Sequence, residues 1–112
     1  ENIIQYIDIH LDQDLSLEYL AGKFYASKYH ISHIFKENTG ISIHQYIMKK
    51  RLAACQDAIL SNISITKAYL MFGFKDYSSF YRAFKKEYGI SPKEFRDMKI
   101  QPEQQKKESS ST

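Results

Sequence analysis

Phe35-Lys36-Glu37-Asn38-Thr39-Gly40-Ile41-Ser42 returns further along the chain as Phe84-Lys85-Lys86-Glu87-Tyr88-Gly89-Ile90-Ser91, at a spacing of 49. Each copy ends in a glycine that can stop a helix and a serine that can cap the next. Upstream, Leu17, Leu20 and Ala21 correspond to Ile65, Ala68 and Tyr69 at a spacing of 48. The one-residue change falls between the two helices of each unit, where a turn tolerates it. The chain therefore reads as two copies of a short helix, a tight turn and a second helix. That is a tandem helix-turn-helix arrangement, a motif that reads DNA with its second helix. The pattern alone is weakly specific, because many helical hairpins bind nothing.

Working outward, apolar residues recur at spacings of three and four rather than in alternation, and no Asn-Gly or Asp-Gly hairpin signal occurs. Both features favour an all-α fold. Ile3, Ile4, Ile7 and Leu11 share one face of a first helix. Ser16 caps a second with Leu17, Leu20, Ala21 and Phe24 inward, and Ser27 caps a third with Ile31, Ile34 and Phe35 inward. A long helix from about Ser42 to Leu60 buries Tyr46, Ile47, Leu52, Ala53 and Ile59 and joins the two units. Ser64 opens the next helix, ended by Gly73. A helix from near Asp76 turns Phe80, Ala83, Phe84 and Tyr88 inward, and Ser91-Pro92 opens a last short helix containing Phe95. The expected organisation is a first unit over 1–40, the linking helix over 41–60 and a second unit over 61–99. Residues 100–112, polar and without apolar period, are expected to be a disordered tail.

A chain of 112 residues makes one small domain, or two very small ones sharing a core. The single cysteine, Cys55, excludes an internal disulfide framework and argues for a reducing compartment. No apolar run approaches a membrane span, and no signal peptide opens the chain. The net charge of +3 hides an asymmetry. Residues 1–22 hold five acids and no Lys or Arg, whereas residues 23–99 hold 14 basic and six acidic side chains. Such separation speaks of partners rather than fold.

The second helix of each unit carries the chemistry. Around Ile31 and Phe35, the outer face of the first presents Lys28, Tyr29, Ser32, His33 and Lys36. The second presents Asp76, Tyr77, Ser78, Ser79, Arg82, Lys85 and Lys86. Base edges in the major groove call for this mixture: Arg bidentate to guanine, hydroxyls to several bases, aromatic surface against the thymine methyl. Lysines and the helix starts at Ser27 and Asp76 suit phosphates. Solvated helix faces would look similar in one copy; two copies in equivalent positions favour DNA. A linking helix of eighteen or so residues spans roughly 27 Å, which can hold two recognition helices in successive major grooves. Lys49, Lys50 and Arg51 lie on it, either as phosphate contacts or as a solvated cluster.

Residues 1–98 resemble the DNA-binding domain of the AraC/XylS family of bacterial transcription regulators. In the second half the resemblance rests on Gly73-Phe74, Asp76, Ser78, Phe80, Arg82, Phe84-Lys85, Gly89, Ser91-Pro92 and Arg96. In the first it rests on Leu17, Leu20-Ala21, Ser27, Phe35-Lys36, Gly40, Tyr46 and Arg51-Leu52. It implies seven helices, double-stranded promoter DNA as ligand, and control of transcription through contact with RNA polymerase. By position it puts base reading on Tyr29, Ser32 and His33, and on Tyr77, Ser78 and Arg82. Ser27, Lys28, Lys36, Lys50, Asp76, Ser79 and Lys86 fall to the DNA backbone. Gly73 is expected at a positive φ. Two departures stand out. Tyr69 replaces the usual small residue, implying a shifted helix or a different seat on DNA. Phe24-Tyr25 stands where the second unit has Gly73-Phe74, implying a different turn.

No paired carboxylates, Ser-His-Asp order or phosphate loop supports catalysis, so no enzyme activity and no cofactor is expected. His30 and His33 lack the further ligands of a metal site. Activity in the bacterial cytoplasm, at the nucleoid, is expected. The start at Glu1 without Met suggests a C-terminal piece of a longer regulator with an N-terminal effector or dimerisation domain. The alternatives are a free-standing activator and a helical protein-interaction module that has lost DNA binding.

Overall fold

Every helix begins on a side-chain oxygen. In the computed structural model, which describes residues 2–98, Asn2 and Gln5 exchange side-chain and backbone hydrogen bonds to open α1 (Ile3–Ile9). Ser16 caps α2 (Leu17–Lys23), Ser27 caps α3 (Lys28–Thr39) and Ser42 caps α4 (Ile43–Leu60). Ser64 caps α5 (Ile65–Met71) and Asp76 caps α6 (Tyr77–Tyr88). Residues 92–98 form α7, with Ser91 Oγ accepting the Glu94 N–H at 3.1 Å. Each such cap satisfies an orphan donor and contributes about 1 kcal/mol. Among the described residues there are seven helices and no strand. The expected disorder of 100–112 lies outside the described residues.

The repeat is structural as well as textual. Gly40 and Gly89 close α3 and α6 at φ 83° and 80°, each donating its N–H to the lysine four residues back at 2.8 Å. The turns inside the units also match, which corrects the expectation of two kinds. Ala26 N–H reaches Ala21 O at 2.9 Å, and Phe74 N–H reaches Tyr69 O at 3.1 Å. Tyr25 stands where Gly73 does and adopts φ 55° to Gly73's 93°. A tyrosine there costs roughly 1–2 kcal/mol of backbone strain, yet its 98% exposed ring meets no obstacle. The turn geometry is thus imposed by the helix pair and not by glycine. Lys75 is the extra residue that lengthens the second copy.

The core divides in two, and α4 serves both parts. Its first half sends Ile43 and Ile47 into a cluster with Tyr6, Ile7, Leu15, Leu20, Ala21, Ile31 and Phe35. Its second half sends Leu52, Cys55, Ala58 and Ile59 into a cluster with Ala68, Tyr69, Phe74, Phe80, Phe84 and Phe95. The fully buried Cys55 donates its thiol to Ala68 O at 3.6 Å, and burial pushes its pKa up to about 12. A thiol so placed is inert near neutrality.

Three expected positions differ. Leu11 packs against the first cluster as expected but lies in the turn beyond α1, because His10 already closes that helix. Ile34 is 40% exposed, since α3 buries the Ile31–Phe35 stripe and leaves Ile34 at the lip of a groove of about 240 Å³ beside Ile3, Ile4 and Phe24. Ala53 is exposed because the buried face of α4 runs through Leu52 and Cys55.

Tyr69 does not displace its helix. Both Ala68 and Tyr69 are buried, as Leu20 and Ala21 are, and the Tyr69 ring stacks on Phe80 with centroids 5.3 Å apart. The second cluster is aromatic where the first is aliphatic, so the larger ring finds a partner.

Arg51 fastens the units together. Its Nε donates to Leu11 O at 3.1 Å and its Nη2 to Gln13 O at 2.7 Å, both in the loop between α1 and α2. The same guanidinium lies against the second unit's turn, where a Cβ on Gly73 would come within 2.9 Å of Arg51 Cζ. Arg51 is therefore a tertiary contact and not a phosphate ligand.

Candidate nucleic-acid interface

The outer faces of α3 and α6 occupy equivalent places in the two units. On α3, Lys28, Tyr29, His33 and Lys36 are exposed, Tyr29 by 68%. Tyr29 meets His33 edge-on at 5.5 Å, and His33 Nε2 lies 3.2 Å from Glu37 Oε1. Ser32 Oγ donates to Lys28 O at 2.9 Å. That bond uses its proton and leaves lone pairs to accept from a base.

On α6, Tyr77, Ser78, Arg82, Lys85 and Lys86 are exposed. Arg82 makes no ion pair among the described residues, so its fork is open for a bidentate contact. Tyr77 leans on Tyr69 at 6.1 Å and on Tyr81 at 5.8 Å, which ties the recognition face to the aromatic core. Tyr81, half-buried with Lys85 Nζ 5.9 Å from its ring, escaped the sequence reading. The four-residue steps from Tyr77 to Tyr81 to Lys85 were the signal that places it on this face.

The helix starts differ in charge. Ser27 Oγ accepts the His30 N–H at 3.0 Å, leaving α3 with a neutral cap. Asp76 Oδ1 accepts the Ser79 N–H at 2.8 Å, leaving α6 with a carboxylate. That backbone bond, then the Ser79 hydroxyl and the charge of Arg82, hold the Asp76 carboxyl below the usual carboxylate range. A folded pKa below the unfolded one means that the cap stabilises fully above the unfolded value. The contribution fades as pH falls through the lower folded value. Asn also caps but does not titrate. Asp76→Asn is therefore expected to flatten the acid limb of the stability curve below about pH 4, as followed by urea melts from neutral to acid pH. Parallel acid limbs for both proteins would refute the assignment. Glu94, held low by the Ser91 N–H, shifts in the same direction and is common to both proteins.

Lys50 stands apart from the other backbone candidates. Its Nζ lies 3.8 Å from Asp8 Oδ1 and 5.6 Å from the Tyr46 ring centroid, while Tyr46 Oη donates to the same Asp8 oxygen at 2.8 Å. Burial, and then that bond and the Asp8 charge, raise Tyr46 to about 12. Lys49 pairs with Glu87 at 3.7 Å. The linker lysines therefore face α1 and α6 partners, whereas Lys28, Lys36, Lys85 and Lys86 remain without an ion pair among the described residues. No three His, Cys, Asp or Glu of the described residues gather into a metal-binding group. No described helix is long and apolar enough to cross a membrane.

Two copies of one turn, two recognition helices and one shared α4 define a tandem helix-turn-helix DNA-binding domain. A helix-turn-helix domain family matches residues 20–98. The right origin-binding protein of Escherichia coli K12 is 35% identical over 96 residues, which cover 85% of this chain and 33% of that protein. PqrA, a probable transcription factor of Proteus vulgaris, is 29% identical over 105 residues, 91% of this chain and 86% of that one. The C-terminal domain of AraT, a response regulator from Geobacillus stearothermophilus, has a TM-score of 0.80 at 32% identity, covering 84% of this chain and 79% of that one. The chain belongs to the AraC-type helix-turn-helix family, the DNA-binding domains of transcription regulators. It spans about a third of the length of the right origin-binding protein and most of PqrA.

Proposed function

We propose that both units read bases in successive major grooves of double-stranded promoter DNA. Tyr29, Ser32 and His33 read one block, and Tyr77, Ser78 and Arg82 read the other. Ser27, Lys28, Lys36, Ser79 and Lys86, with the α6 start at Asp76, hold the flanking backbone. The observation that carries this is the duplicated geometry: the same turn, the same glycine stop and a cation-rich outer face occur in both copies. The α4 helix of 18 residues supports it, because its length of roughly 27 Å suits recognition helices one DNA turn apart. One chain then does the work of a helix-turn-helix dimer. We further place the domain in the bacterial cytoplasm, joined to an N-terminal effector or dimerisation domain. There it acts as an activator that contacts RNA polymerase with the acid-rich side formed by residues 1–22, where Asp12, Asp14 and Glu18 follow α1.

Selection of bound sites from random duplexes tests the reading. Two enriched blocks about ten base pairs apart are expected; a single block would remove one unit from base reading. Binding should weaken steeply as salt rises, because phosphate neutralisation releases counterions. Arg82→Ala should lower affinity for the selected site by about 1–3 kcal/mol and relax choice at one base pair. An equal loss on unrelated duplexes would make Arg82 a phosphate contact.

A further inference from the structure

Tyr25 has a backbone that tyrosine disfavours and a ring that the fold does not use. Its φ of 55° lies in the left-handed region, where a Cβ crowds the following carbonyl. The ring is 98% exposed, and among the described residues it has no ring contact and its hydroxyl no hydrogen bond. The bond that Tyr25 does make belongs to its backbone, N–H to Gly22 O at 3.3 Å. Nothing on the side chain therefore offsets the strain. Gly73 takes the matching turn of the second unit without that penalty, so folding alone would favour glycine at position 25 as well.

The turn also sets where this side chain can act. Two residues on, Ser27 caps α3, and two beyond that stands Tyr29. Cα atoms two residues apart are at most about 7 Å from each other. Wherever the start of α3 meets the DNA backbone, a ring held by no neighbour can turn its hydroxyl to a phosphate there. The second unit has an exposed side chain at the same stage of the chain: Lys75, beside the Asp76 cap and without an ion pair among the described residues. Each unit thus carries one long, unengaged polar side chain between its two helices. The cleft beside Tyr25 is lined by Lys23 and Glu18 together with Tyr19 and Gly22. Its charges balance, and the donor left for a phosphate is the tyrosine hydroxyl.

We propose that Tyr25 is a further DNA contact of the first unit, its hydroxyl donating to a phosphate oxygen beside the start of α3. The inference rests on α3 lying in the major groove, as in the function proposed above. A phosphate contact carries no sequence information, and a neutral hydroxyl releases no counterion. Its loss should therefore weaken binding to every duplex alike and leave the salt dependence unchanged.

The test measures duplex affinity over a range of salt, with thermal melts alongside, for wild type, Tyr25→Gly and Tyr25→Phe. The duplexes are the selected site and one of unrelated sequence. Tyr25→Gly relieves the strain and should raise the melting temperature by about 4–8 °C. It should nevertheless bind both duplexes about five- to tenfold more weakly, at an unchanged salt slope. Tyr25→Phe keeps the strained backbone and so the wild-type melting temperature, but should lose affinity by the same factor, because it lacks only the hydroxyl. If the wild type selects a site and either variant binds with full affinity, the contact is overturned while DNA reading stands. A loss confined to the selected site would make Tyr25 a base reader, and a flatter salt slope would trace the loss to a disturbed cation; either overturns the proposal. A lower melting temperature for Tyr25→Gly would show that the ring serves the fold, with the same consequence. If the wild type binds no duplex, DNA reading itself fails and the contact with it.

Discussion

Phe80→Ala is expected to lower folding stability by about 3–5 kcal/mol. Phe80 is fully buried at the centre of the second cluster. Its ring lies 5.3 Å from Tyr69, 5.2 Å from Phe74 and 5.5 Å from Phe84, joining α5, the turn and α6. Truncation removes all three aromatic contacts and leaves a cavity that stiff neighbouring rings cannot fill. Small domains have only about 5–15 kcal/mol in total, so the loss is a large share. It should also be uneven, because Ile7, Leu20, Ile31 and Phe35 belong to the other cluster. Amide exchange should therefore rise more in α5 to α7 than in α2 and α3, while a urea melt reports the overall loss. A decrease below about 1 kcal/mol would show that this cluster is not a packed core.

The second large effect concerns Arg51. Arg51→Ala removes two charge-assisted hydrogen bonds to the carbonyls of Leu11 and Gln13. A cost of about 2–3 kcal/mol is expected, at the low end for such bonds because the site is partly exposed. Lysine should not rescue it, since a single ammonium cannot reproduce the fork that spans two carbonyls. Gly73→Ala should cost about 1–2 kcal/mol from its positive φ, plus the displacement of the guanidinium from its new Cβ. The two changes share one contact, so their effects should fall short of additivity by more than about 0.5 kcal/mol in a double-mutant cycle. Gly89→Ala is the control: it too has a positive φ, but open space around its Cβ. Strict additivity between Arg51 and Gly73 would mean that the guanidinium does not bear on the turn.

How much of this was legible beforehand follows from the kind of signal involved. The caps at Ser16, Ser27, Ser42, Ser64, Asp76 and Ser91 lie where the sequence put them, because a cap is satisfied within three residues. Apolar period placed Ile31, Phe35, Phe80 and Phe84 in the core. It misassigned Ile34 and Ala53, since a helix of apolar and small residues has a broad stripe whose edge is decided by the neighbour. The exposed faces of α3 and α6 were readable as the complement of their buried stripes. The partners of Lys50 were not, because Asp8 is distant in sequence.

The sequence by itself determined the repeat, the seven helices and the family of DNA-binding domains, since all three rest on local spacing and on residues that recur in register. Only the tertiary structure decided that Tyr25 adopts the turn of Gly73, that α4 divides its apolar face between two cores, and that Arg51 ties the α1–α2 loop to the second unit. Each of these depends on groups brought together by packing or by bonds of long range, and the free energy that selects them is absent until the helices have docked.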